Sequence, residues 1–179
     1  MTDRSVVLIG PMGAGKTSVG RKAAKALGVE FFDTDIAVSR VHGPVAEIFA
    51  THGEAQFREW ERDAVREGLA GSGVVALGGG AVLHPDTQAD LAQHPVVLLT
   101  VDPRIVAARI RNTTRPLLQG EDAMTQWQNV AAERRDLYAR LADVTFDTST
   151  GHIRDIVAAV ADWVRDRWEQ DAATTEGIR

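Results

Sequence analysis

Four consecutive apolar residues, Val6 to Ile9, run directly into Gly10-Pro-Met-Gly-Ala-Gly-Lys16-Thr17-Ser18, and a helix-compatible stretch over residues 19–27 runs out of it. No other feature constrains the fold as much. Gly10, Gly15, Lys16 and Thr17 fit the phosphate-binding pattern G-x-x-x-x-G-K-[ST]. A strand that stops at a glycine turn and restarts as a helix leaves the first helical N–H groups without intrahelical partners. Those donors and the positive end of the helix dipole then converge on one point, which suits a phosphate. Gly13 and Gly15 let backbone approach a ligand where a Cβ would collide. Lys16 is placed to reach the β- and γ-phosphates and the Thr17 hydroxyl to hold Mg²⁺. The expectation is nucleotide binding, and what receives the phosphate stays open at this point.

Whole-chain properties narrow the field. The 179 residues suit one domain with a full core, and 44% hydrophobic with 25% charged residues is ordinary globular composition. No apolar run approaches the roughly 20 residues of a membrane span, and the N-terminus lacks a signal-peptide layout. There is no cysteine, hence no disulfide or thiolate metal site, which is compatible with a reducing cytoplasm. A net charge of −5 argues against a broad nucleic-acid surface. The only lysines are Lys16, Lys22 and Lys25. A lysine at 16 in a chain that otherwise prefers arginine is expected where a compact point charge is needed.

Read in order, residues 6–9 form a buried strand and 16–27 a helix closed by Gly28. A short strand over 29–33 ends in Asp33-Thr34-Asp35, and a helix over 36–41 breaks at Gly43-Pro44. A short helix over 45–50 precedes Gly53 and a longer one to residue 69, with Phe57, Trp60, Ala64 and Val65 at helical spacing. Residues 74–77 form a third strand before Gly78-Gly79-Gly80, and Pro85 opens a helix to residue 92. A strand over 96–101, a helix capped by Asp102-Pro103, a polar loop over 112–122, a helix over 123–142, a strand over 144–147 and a helix over 153–168 complete the chain. Residues 1–169 then make one domain, with a frayed tail over 170–179. Strands separated by helices imply an α/β fold, a parallel sheet covered on both faces with ligands at the C-terminal strand ends. The glycine loop, Asp33/Asp35 and the triple glycine each follow a strand, so all three belong to one edge.

The chemistry-bearing residues are read individually. Asp33 and Asp35, if both keep the strand's period of two, face the same way roughly 6–7 Å apart at the backbone. One then serves Mg²⁺ and the other an acceptor hydroxyl. Equally, Asp35 caps a helix starting at Ile36. The strand over 74–77 ends in glycine rather than the Asp that many phosphate-loop enzymes place there, so the nearest carboxylate for the metal is Asp33. The triple glycine either admits a ligand against bare backbone or is a flexible turn. Arg134 falls within the inward stripe Trp127, Val130, Ala131, Leu137, Tyr138 and Leu141. An inward charge there requires an anionic partner, protein or ligand. Arg58, beside Phe57, is a weaker case of the same kind. Arg115, in Arg115-Pro-Leu-Leu118, belongs either to a closing loop or to plain surface. The five histidines show no metal-site spacing and are read as non-catalytic.

Taken together, Gly10-Pro-Met-Gly-Ala-Gly-Lys-Thr, Asp33-Thr-Asp35, Gly53-Glu-x-x-Phe57-Arg58, Gly78-Gly-Gly80-Ala81 and Arg115-Pro-Leu-Leu118 resemble, in content and order, the shikimate kinases. The resemblance spans about residues 6–147. It implies a nucleoside-monophosphate-kinase-like fold with a five-stranded parallel sheet of order 2-3-1-4-5. A substrate-binding insertion falls at about 35–62 and a lid at about 112–123. The implied reaction moves the γ-phosphate of ATP to the 3-hydroxyl of shikimate, a step toward chorismate and the aromatic amino acids. By motif, Asp35 binds the shikimate hydroxyls and acts as base, while Arg58 and Arg134 hold the carboxylate and Gly79 and Gly80 contact the substrate through backbone. ATP falls to Gly13, Ala14, Gly15, Lys16, Thr17 and Ser18, with Arg109 at the adenine and Arg115 as the lid arginine. Mg²⁺ falls to Thr17 and Asp33. The implied catalytic set is Asp35, Lys16 and Arg115, in a cytoplasmic monomer with no nucleic-acid or membrane partner. Gluconate kinase, a nucleoside monophosphate kinase and a non-catalytic ATP-binding module are the alternatives. The Asp-Thr-Asp, Phe-Arg and triple-glycine set argues against the first two, and the intact Lys16, Thr17, Asp35 and Arg115 against the third.

Overall fold

β1 (Val6–Ile9) is buried at all four positions because it lies at the centre of the sheet and is covered on both faces. The computed structural model describes residues 4–110 and 123–176. Five strands, β1, β2 (Glu30–Asp33), β3 (Gly73–Ala76), β4 (Val96–Thr100) and β5 (Val144–Asp147), form one sheet of order β2-β3-β1-β4-β5. Every strand pair is parallel. This is the order that the family resemblance implies.

Alternation along the strands splits the core into two layers. Val6, Leu8, Val74, Val97 and Leu99 face one side, where they pack with α1 (Lys16–Leu27) and α7 (Ile153–Glu176). Val7, Ile9, Val75, Val96 and Leu98 face the other, with Val65, Leu69 and Tyr138 from α3 (Val45–Ala70) and α6 (Ala123–Leu141). A satellite cluster of Ala37, Val38, Ile48, Phe57 and Ala64 joins α2 (Thr34–His42) to α3. The sheet thus anchors the C-terminal strand ends, while α2 and α3 stand over them as a side wall. The remaining helices are α4 (Pro85–Leu91) and α5 (Pro103–Ile110). No helix among the described residues is long and apolar enough to cross a membrane.

Three local readings change. The helices expected on either side of Gly53 form a single element with a kink at that residue, whose φ of 79° and ψ of 170° are non-helical. α2 begins at Thr34 rather than Ile36, so Asp35 is already helical and does not follow the strand's period. The last helix does not end at Trp168 with a frayed tail from 170, but continues to Glu176. Its extension has an Arg167–Asp171 ion pair at 3.6 Å and a Thr174 hydroxyl donating to the Gln170 carbonyl. The polar composition there contains no helix breaker before Gly177.

Candidate active site

The glycine loop enters α1 through Gly15, which caps the helix in the left-handed conformation (φ 89°, ψ 19°). Glycine is required at such a φ, and it brings no side chain to the first-turn N–H groups. The loop is propped from below and from the side. The buried Thr148 hydroxyl, just past β5, donates toward Ala14 O at 2.8 Å, with Thr100 O 3.0 Å away. The Trp127 indole N–H of α6 donates to Met12 O at 2.8 Å. Lys16 Nζ lies along its own loop, 2.7 Å from Gly10 O and 3.1 Å from Pro11 O.

Asp33 does two things at once. One carboxylate oxygen accepts the Thr17 hydroxyl at 2.7 Å, and the other accepts the Ile36 N–H at 3.1 Å as the N-cap of α2. The helix cap considered for Asp35 therefore belongs to Asp33. With its carboxylate clamped between α1 and α2, Asp33 holds a hard oxygen beside the Thr17 hydroxyl, a donor pair suited to Mg²⁺ that also takes oxygens from phosphate and water. No cluster of three or more His, Cys, Asp or Glu among the described residues offers a metal cage of protein ligands alone.

Beyond the loop lies a cavity of about 610 Å³. Pro11 and Met12 line it on the loop side, Asp35, Arg58, Gly79, Gly80 and Arg134 supply polar groups, and Phe49 and Phe57 form part of its apolar wall. All five acceptor-side residues expected from sequence thus meet at one space. The bare backbone at Gly78 and Gly80 lets these side chains come close. A Cβ on Gly78 would stand 2.5 Å from Asp35 Oδ1 and 2.7 Å from Glu61 Oε1, and one on Gly80 would strike the Arg58 guanidinium. The flexible-turn reading gives way to this close approach. The Gly78 N–H donates at 2.9 Å to the fully buried Thr34 hydroxyl, tying the turn after β3 to the start of α2.

Two site residues escaped the sequence reading. Glu61, 3% exposed, accepts from Arg58 Nη1 at 2.6 Å. Burial pushes its carboxyl above the ordinary value of 4.5, against the pull of Arg58, and the Asp35 charge pushes the same way as burial. Burial works against the charge of Arg58, but Glu61 and Glu54 outweigh it and raise the guanidinium. Arg58 is thereby fixed by Glu61, by Glu54 at 3.1 Å and by the Phe57 ring 5.3 Å away. A signal for Glu61 was present: it follows Phe57 by four and precedes Ala64 by three, so it interrupts the inward stripe of α3 as Arg134 interrupts that of α6. Tyr138, 3% exposed, donates to Gly79 O at 2.6 Å, and burial raises its phenol, opposed by Arg134. Its signal was masked, because a tyrosine in an apolar stripe reads as core.

Arg109 lies in α5, but its side chain falls outside the described residues, as do Arg115 and the expected lid up to residue 122.

Comparison with known proteins identifies the family. A family model described as shikimate kinase matches residues 12–165. A shikimate kinase of Mycobacterium avium is 47% identical over 146 residues, covering 80% of this chain and 83% of its own. One from Mycobacterium tuberculosis is 42% identical over 171 residues, covering 94% and 97%. Among solved structures, the shikimate kinase from Acinetobacter baumannii in complex with shikimate superposes with a TM-score of 0.85 at 34% identity, covering 93% of this chain and 95% of that one. The chain belongs to the shikimate kinase family and is an ATP-dependent phosphotransferase.

Proposed function

We propose that the cavity beside the glycine loop takes shikimate and that the loop takes the phosphates of ATP. The γ-phosphate then passes to the shikimate 3-hydroxyl to give shikimate 3-phosphate and ADP. The observation that carries this reading is the convergence of two arginines, Arg58 and Arg134, with Asp35 and the Gly79–Gly80 backbone on one cavity that borders Pro11 and Met12. A small acceptor with one carboxylate and several hydroxyls matches that set. Two guanidiniums hold its anionic end, and a carboxylate reaches its hydroxyls.

In the reaction the acceptor oxygen forms a bond to the γ-phosphorus as the bond to the β-phosphate bridging oxygen breaks. Asp35 takes the hydroxyl proton, and the displaced electron pair leaves with ADP. The amides of residues 13–18 and Lys16 hold the phosphates, and positioning plus charge neutralisation supply most of the rate. Thr17 and Asp33 would hold Mg²⁺. The ion, when bound, neutralises charge on the phosphate oxygens. Arg109 at the adenine and Arg115 over the transferred group complete the assignment, on the motif resemblance alone. The missing carboxylate after β3 supports the sharing of the metal with β2, and a side chain at Gly78 would displace the Asp35 and Glu61 carboxylates from their present places.

The test is ADP release with shikimate, gluconate or nucleoside monophosphates as the acceptor, with and without Mg²⁺. Turnover is expected with shikimate and Mg²⁺ only. Equal or greater turnover with gluconate would overturn the assignment of the acceptor.

A further inference from the structure

We propose that Tyr138 is a positioning residue for the acceptor: its hydroxyl fixes the spacing between the Arg134 guanidinium and the Gly79 backbone. That spacing sets the geometry in which the acceptor's carboxylate is held. The inference rests on the assignment of that carboxylate to Arg134, and the experiment below separates the two.

Tyr138 joins segments 59 residues apart, its hydroxyl donating to Gly79 O at 2.6 Å. Its ring is packed in the core layer with Val7, Ile9, Leu77 and Leu98, so the hydroxyl stands on an immobile base. Arg134, one turn earlier on α6, lies near enough for its charge to act on that phenol. A Cβ on Gly79 would lie 3.6 Å from the Tyr138 oxygen and 3.8 Å from Arg134 Nη1, so both groups bear on one point of the cavity wall. A phenol is suited to this place because it donates one proton and accepts at its lone pairs. It gives the proton to the carbonyl and keeps lone pairs that favour a nearby arginine charge.

Three charged groups act on the phenol: Arg134 of its own helix, and Glu61 and Arg58 of α3. Burial outweighs the pull of Arg134 and keeps the hydroxyl protonated, so the donor that Gly79 requires is present. Arg58 has its own anchor in Glu61. In this arrangement each of the two acceptor arginines has a buried polar neighbour on its own helix, the Glu61 carboxylate bonded to Arg58 and the Tyr138 hydroxyl close to Arg134. Glu61, hydrogen-bonded to Arg58, also acts on Arg134 through its charge.

The test is Tyr138→Phe, which keeps the ring and removes the oxygen. KM for shikimate is expected to rise about tenfold, the scale of one buried carbonyl left without its donor, with kcat and KM for ATP within about twofold. The loss is expected to vanish with shikimate methyl ester, whose carboxyl carries no charge for Arg134 to hold. The same loss with acid and ester, or an equal loss for both substrates, would make the hydroxyl a packing element and overturn the proposal. Arg134→Ala is the control. If it leaves KM for shikimate unchanged, the carboxylate assignment fails. If it raises KM while Tyr138→Phe does not, the positioning role alone fails. Should Tyr138→Phe not fold, a difluorotyrosine at 138 preserves shape and ionises at lower pH. KM for shikimate is then expected to rise as that phenol loses its proton, and a KM that stays flat overturns the proposal.

Discussion

The phosphate side of the cleft is drawn from residues 10–18 with one carboxylate of the next strand. The acceptor side instead takes Asp35 from α2, Arg58 and Glu61 from α3, Gly79 and Gly80 from the turn after β3, and Arg134 and Tyr138 from α6. The first is shaped mainly by backbone conformation, and its supports, Thr148 and Trp127, bond to loop carbonyls. The second is shaped by side chains that hold one another across four segments. A backbone site tolerates change in the side chains around it but depends on its few glycines and its one lysine. A side-chain site spreads its tolerance differently, since each buried charge relies on a named partner.

Three substitutions would break or sharpen that contrast. The largest effect is expected from Lys16→Ala, which removes the loop's point charge. Turnover should fall on the order of 10³-fold, the scale of losing a preorganised electrostatic group, while shikimate affinity, followed by equilibrium titration without nucleotide, stays near wild type. A comparable loss of shikimate affinity would show that the two sides are not separable.

Arg134→Ala should do the reverse. Shikimate KM is expected to rise about a hundredfold, the lower range for truncating one side of a buried charge pair, with nucleotide binding nearly intact. Equal loss for both ligands would make Arg134 a structural strut between α6 and the sheet.

The smallest effect concerns Glu61→Gln and is read from stability. Glu61 has a folded-state pKa raised above its ordinary 4.5. Between those two values the folded chain binds more protons than the unfolded chain, so stability falls as pH rises. The Tm of wild type relative to Glu61→Gln should therefore be highest at acid pH and decline by a few degrees as pH rises through the raised value. It should then level off. A difference that grows with pH would mean that the Arg58 pair, not burial, dominates at Glu61.

Legibility in the sequence followed the same divide. The phosphate side could be read because each of its parts lies next to the others: strand, glycines, lysine and threonine within one short run. Asp33 was reached by elimination, from the carboxylate that β3 lacks, and the 2.7 Å Thr17–Asp33 contact bears out that proximity. On the acceptor side Arg134 was legible as a charge in an apolar stripe, whereas Glu61 carried the same signal and Tyr138 carried none. Of the two arrangements open for Asp33 and Asp35, the strand's alternation does not extend to Asp35, since helix α2 starts at Thr34, two residues before Ile36.

By itself, then, the sequence determined the alternating α/β architecture, the phosphate loop at the end of β1 and, through its motifs, the family. These depend on local conformation: hydrophobic period, glycine at positive φ, and the cap of a helix. Tertiary structure decided that Asp35, Arg58 and Arg134 share one cavity, that Tyr138 reaches Gly79, and what the bare turn after β3 packs against. Those outcomes depend on distances between segments far apart in the chain, set by how α2, α3 and α6 pack over the sheet. A linear pattern records that a charge points inward, but the cavity it faces is formed only when the helices meet.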